Sequence, residues 1–197
     1  VSLVSVMVMM YSISLIPPMV VDVIYHDNML IVYLITASIS LLLGGGGWAL
    51  TKDSAHELKV RDGFLVVMLF WVVLSLLGTL PFVMGEHPVL GLLDALFESV
   101  SGWTTTGSTV ISGVEHLPHS LLFYRQQLQF LGGMGIIVLA VAVLPMLGVG
   151  GMQLYQAEMP GPLKDHKLTP RIAETAKSLW IIYVGLTLCC TLAYLSA

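Results

Sequence analysis

Between two long apolar segments the sequence carries Ser99-Val100-Ser101-Gly102-Trp103-Thr104-Thr105-Thr106-Gly107-Ser108-Thr109, a stretch that is mostly polar, small and nearly free of side-chain bulk. Apolar runs of about 20 residues, the length that crosses a bilayer as a helix, recur on both sides of it. Irregular backbone at membrane depth has no water to bond its N–H and C=O groups. It is tolerated only where protein buries it or where it lines a cavity. The stretch therefore points to an all-α polytopic membrane protein in which one non-helical segment is buried in protein or lines a cavity, and it reads as the carbonyl-lined filter of a cation pore.

Composition agrees. Of 197 residues 56% are apolar and 10% are charged, with a mean hydropathy of +0.90; a soluble domain carries about 25% charged residues. A net charge of -4 gives no reason to expect a nucleic-acid partner. Cys189 and Cys190 are adjacent in an apolar run, so they form no disulfide framework and read as small lipid- or helix-facing residues. No basic segment or small-residue cleavage site precedes the first apolar run, which argues against a signal peptide. Because the first and last residues both fall in apolar runs, the chain is expected to be a fragment of a longer protein.

Taken in order, Val1–Val21 and Met29–Leu50 are the first two spans, and Pro17-Pro18 should kink or end the first. Gly44-Gly45-Gly46-Gly47 reads as a frayed helix end or a close packing surface, with a hinge as the sharper alternative. Residues 1–62 thus make an N-terminal helix pair and a charged loop. Residues 63–147 hold a span (Gly63–Met84), a helix too short to cross (Leu90–Val100), the small-residue stretch and a long span (Pro118–Leu147). Residues 148–176 form a polar loop, and 177–197 open a further span. Lys52, Lys59, Arg61, Lys164, Lys167, Arg171 and Lys177 fall on the two loops, which the charge bias of membrane proteins places together in the cytoplasm. That requires the segment from Leu90 to Thr109 to enter and leave on one face. The opposite face would carry Asp22, Asp27, Glu86 and Glu115, either as a rim that attracts cations or as ordinary solvated link residues.

The chemistry of the central stretch suits a cation. Backbone carbonyls are neutral, closely spaced oxygens that can replace a potassium ion's water and still release it. Gly107 permits the positive φ that turns carbonyls toward an axis. Thr104, Thr105 and Thr106 can pack their methyls outward, the short helix would point its negative end at the site, and Trp103 would wedge the loop against neighbouring helices. As a physical pattern alone, a Gly/Thr-rich extracellular loop is the alternative. Arg125, near the outer end of its span, would pair with Glu98 or Glu115, snorkel to the interface or act on ions directly. Gly132-Gly133-Met134-Gly135 offers a close-packing face. Glu115-His116-Leu117-Pro118-His119 lacks a metal-ligand spacing, so no metal beyond potassium is expected. The spans contain no nucleophile–base constellation, so an enzyme is not expected.

Phe97-Glu98-Ser99-Val100-Ser101-Gly102-Trp103-Thr104-Thr105-Thr106-Gly107 resembles the first pore loop of the Trk/Ktr/HKT superfamily of potassium transporters. Tyr124–Ile136 is similar to the helix that follows it in that family. Pro145–Leu154, Glu158–Pro162 and Pro170–Ala176 resemble its bacterial TrkH/TrkG type of membrane subunit. The resemblance implies four non-identical span–pore-helix–filter–span repeats in one chain, of which this sequence supplies the first and the opening helix of the second, behind the extra N-terminal helix pair. It implies potassium uptake across the bacterial inner membrane. Thr105 and Thr106 would offer carbonyls to the ion, and Gly107 and Ser108 would complete the filter. Glu98, Trp103 and Arg125 would support it. It also implies membrane lipid around the spans, a homodimer, a cytosolic nucleotide-binding regulatory subunit, and no cofactor other than the transported potassium. A broken-helix cation symporter and a truncated, non-conducting fragment are the alternatives.

Overall fold

Hydropathy and proline placement account for most of the architecture. The computed structural model describes residues 2–51, 60–85, 88–142 and 168–196. The regular structure among the described residues is helical with no strand: α1 (Ser2–Ser14), α2 (Ile16–Tyr25), α3 (Leu30–Thr51), α4 (Val60–Gly78), α5 (Leu80–Met84), α6 (Leu92–Trp103), α7 (His119–Ala142) and α8 (Leu168–Ser196). Two compact units are present, Val1–Gly133 and Met134–Ala197. The short helix, the loop that follows it and the groups around them lie in the first; the second holds the end of α7 and α8. Lys52, Lys59, Glu86, Lys164, Lys167 and the motifs Pro145–Leu154 and Glu158–Pro162 lie outside the described residues.

Four stretches are long and apolar enough to cross a membrane: Leu3–Tyr25, Leu30–Thr51, Leu65–Met84 and Glu174–Ser196. The first contains α1 and α2. Its chain turns once at Leu15 and becomes helical again through Pro17-Pro18, which occupy the first turn of α2, where a missing N–H costs little. The prolines thus interrupt the span without ending it. Asp22, expected in the link, is inside α2 and 3% exposed, where it accepts the Met29 N–H at 2.7 Å. It is a structural acceptor and not part of an acidic rim. Asp27 is likewise engaged, accepting the Ser120 N–H at 2.7 Å, whereas Glu115 is exposed beside His116.

The third span is broken at Thr79, with Pro81 opening α5. By contrast, α6 has only 12 residues, about 18 Å at 1.5 Å per residue, too short for a hydrocarbon core of about 30 Å. With 24 residues α7 has the length to cross, but Arg125, Gln126, Gln127 and Gln129 keep it out of the strongly apolar group. The last helix begins at Leu168, so part of the expected 148–176 loop is helical.

The glycine run of α3 is helical throughout and is a packing surface on one side only. A Cβ on Gly44 would lie 2.7 Å from Met9 Cγ and 2.9 Å from the Ser5 carbonyl, and one on Gly47 would lie 2.5 Å from Ser5 Oγ. Gly45 and Gly46 face open space. The i, i+3 spacing brings α1 and α3 together at close range. Gly44→Ala should therefore destabilise the detergent-solubilised protein by about 1–3 kcal/mol through overpacking. Gly46→Ala should be neutral or gain up to about 1 kcal/mol from helix propensity. Thermal unfolding of the two variants side by side checks the contrast, and equal shifts would refute it.

Candidate functional site

The last carbonyls of a helix need donors from outside it, and at the end of α6 the following loop supplies them. Thr106 N–H bonds the Ser101 carbonyl at 3.0 Å, Thr105 N–H bonds that of Gly102 at 3.0 Å, and Gly107 N–H also reaches Ser101 at 3.4 Å. This is a Schellman closure, and it requires a left-handed residue at its turn. Thr105 takes that role with φ +58, and Gly107 follows at φ +73. Glycine accepts such a φ freely, whereas a threonine there is strained by about 1–2 kcal/mol. The helix runs three residues past Val100, so Ser101, Gly102 and Trp103 belong to α6, and the exposed loop begins at Thr104.

With these N–H groups turned back onto the helix, the carbonyls of Thr105 and Thr106 accept no hydrogen bond among the described residues, on a stretch exposed from Thr104 to Val110. The carbonyls of Ser108 and Gly107, the residues expected to complete the filter, each accept one bond. Ser108 accepts from Ser101 Oγ at 2.7 Å, and Gly107 accepts from Arg125 Nη2 at 3.4 Å. Two adjacent oxygens, neutral and without donors, can serve a cation.

Glu98 and Arg125 hold this shape. Glu98 is 1% exposed, so its charge must be met by donors. One carboxylate oxygen accepts Arg125 Nε at 2.9 Å. The other accepts Val110 N–H at 2.8 Å and the Thr109 hydroxyl. The pair thus grips the loop at Gly107 and again at its exit. Of the partners open to Arg125, the fold selects Glu98.

Trp103, 2% exposed, ends the helix against three neighbours. Its ring meets Tyr11 at 5.9 Å and Phe70 at 5.8 Å. A Cβ on Gly132 would lie 2.0 Å from the Trp103 carbonyl oxygen, so only glycine lets α7 approach this closely. The small-residue motif of α7 signalled such an approach. Nothing in the sequence signalled Ser101, the left-handed Thr105, or Tyr11, a lone aromatic in an apolar run. Glu115 and His116 lie 3.9 Å apart in the exposed loop, and His119 is 3.6 Å from Asp27. No group of three or more metal-ligating side chains occurs among the described residues.

A family model described as TrkH, cation transport protein, matches residues 30–197. The sequence is 56% identical over 191 residues to the Trk system potassium uptake protein TrkH of Escherichia coli K12, covering 97% of this chain and 40% of that protein. It is 51% identical over 188 residues to the Trk system potassium uptake protein TrkG of the same strain, covering 95% and 39%. The crystal structure of the potassium transporter TrkH from Vibrio parahaemolyticus matches with a TM-score of 0.82 at 45% identity, covering 98% of this chain and 38% of that one. The chain thus spans about 40% of the length of the curated relatives it matches.

Removing one partner of a buried ion pair strands the other and costs about 3–5 kcal/mol, whereas replacing both can be nearly neutral. Arg125→Met should lower the thermal stability of the solubilised protein by that amount. The Glu98→Gln/Arg125→Met double variant should regain most of it. A single variant as stable as the parent would show that the pair does not brace the loop.

Proposed function

The chain belongs to the TrkH family of cation transport proteins, and from that premise we propose that it supplies one quarter of a potassium filter. Residues 63–147 are then the first span–pore-helix–filter–span repeat, with α6 as the pore helix. Residues 1–62 are an N-terminal pair with its loop, 148–176 a cytoplasmic loop and 177–197 the first helix of a second repeat. The relatives are named as uptake proteins, not enzymes. The reading places the chain in a bacterial inner membrane, in contact with lipid, in a homodimer that docks a cytosolic nucleotide-binding regulatory subunit.

One observation carries this reading: the donor-free carbonyls of Thr105 and Thr106 on a loop whose N–H groups are spent on the helix behind it. A potassium ion gives up its water only where several oxygens replace it at once. Two carbonyls from each of four loops suit that need. Gly107 and Ser108 complete the filter, and the single bonds from Arg125 and Ser101, each taking one of the two acceptor positions of a carbonyl, fix how these oxygens are turned. The Glu98–Arg125 pair keeps the oxygens at a fixed spacing, so a smaller ion cannot draw them inward without cost.

Gly107→Ser in the complete transporter tests the reading. A serine at φ +73 is strained by about 1–2 kcal/mol. The loop should relax, and the ratio of potassium to sodium uptake should fall about tenfold for each 1.4 kcal/mol of lost discrimination. An unchanged ratio at normal protein abundance sinks the filter assignment. A saturable flux with strict ion stoichiometry would instead favour a carrier.

A further inference from the structure

Tyr11 stands on α1, outside the repeat, yet it reaches the end of α6 by two routes. Its ring tilts against that of Trp103, with centroids 5.9 Å apart at 57°. Its hydroxyl lies 2.7 Å from the Tyr124 hydroxyl, which donates to the Gly78 carbonyl at 3.0 Å. A phenol has one proton to give. Tyr124 spends its own on Gly78, so Tyr11 is the donor to Tyr124. The chain of donation runs from α1 through α7 to the last residue of α4.

Gly78 is where that chain meets the loop's support. A Cβ there would lie 2.6 Å from Ser99 Oγ, 2.9 Å from Trp103 Nε1 and 3.4 Å from the Tyr124 hydroxyl. Ser99 is itself tied to α4 through the Ser75 carbonyl at 2.7 Å. Trp103 Nε1 is buried and has no acceptor among the described residues. No hydrogen bond therefore fixes the indole; packing does, and Tyr11 is part of that packing. The residue after Trp103 begins the exposed loop.

We propose that Tyr11 is a positioning residue for ion discrimination: it sets the placement of Trp103, and through it that of the Thr105 and Thr106 carbonyls. This rests on the reading of the loop as a filter. It makes the N-terminal helix pair part of the specificity machinery and not only a membrane anchor. Other ties join the pair to α7, from Gln127 Nε2 to the Ser14 carbonyl and from Ser120 N–H to Asp27. They dock the helices without touching Trp103, so they separate docking from positioning.

The test uses the complete transporter in cells lacking other potassium uptake, with membrane abundance measured in parallel. Tyr11→Phe keeps the ring and removes the donor. The potassium-to-sodium uptake ratio should fall about fivefold, the scale of one lost hydrogen bond, with maximal rate per transporter little changed. Tyr124→Phe, which removes both bonds of the chain, should lower the ratio at least as far, and the double variant should be no worse than Tyr124→Phe alone, since the Tyr11 hydroxyl acts through Tyr124. Gln127→Leu should lower abundance and leave the ratio alone. An unchanged ratio in Tyr11→Phe and in the more severe Tyr11→Leu, with only abundance or thermal stability reduced, overturns the proposal. Gly107→Ser run alongside separates the two failures. If it shifts the ratio and the Tyr11 variants do not, this inference falls alone. If it does not, the filter reading falls and this inference with it.

Discussion

A carboxylate taken out of water has to be met by donors on each oxygen, and Glu98 is the carboxylate on which the rest of the first unit turns. Its donors come from the side chain of Arg125 and from the exit of the loop. Satisfying one buried charge therefore registers α6, α7 and the loop against one another in a single step. Burying such a pair is a poor source of stability, since desolvation consumes much of the attraction. What it supplies is geometry: Arg125 also holds the Gly107 carbonyl, so the charge that neutralises Glu98 shapes the turn as well.

The polar character of α7 follows from its two working faces. Arg125, Leu128 and Gly132 meet the short helix and loop side, while Ser120, Tyr124 and Gln127 bond toward the N-terminal pair. Each set recurs at three- and four-residue steps, as one helical stripe must. Proline supplies some of the acceptors. Pro18 cannot donate to the carbonyl four residues before it, that of Ser14, and Gln127 does so instead. A helix whose polar groups answer such openings cannot also be uniformly greasy, and for this reason its hydropathy falls below that of the other spans.

The spans were legible because a bilayer demands long apolar runs, and the short helix because Leu90–Val100 is too brief to cross. Gly107 was legible because glycine is the residue that left-handed backbone favours. Thr105 was not, because threonine is disfavoured there and only the closure of α6 forces it. The end of α6 was misread by three residues, since Ser101-Gly102-Trp103 looks like loop in composition but completes a helical turn in space. Asp22 was read as a link residue because aspartate is rare in a span; Met29 N–H is what makes it tolerable inside α2. The choice between Glu98 and Glu115 for Arg125 depended on packing across 27 residues of sequence, which no local pattern encodes.

The contact between Gly132 and Trp103 carries a genetic consequence. What a side chain at 132 would strike is a carbonyl oxygen, an atom that every residue type at 103 possesses. No exchange at the tryptophan position can make room for a larger residue at the glycine. Suppressors of a lesion there have to arise wherever the separation of the two helices is set, as at the Gly102–Leu128 approach, where the Cβ of Leu128 would meet an added methyl at 2.9 Å. The allowed residue at 132 is thus fixed by its Cβ meeting backbone, and that position is free to vary only together with the distance between the two helices.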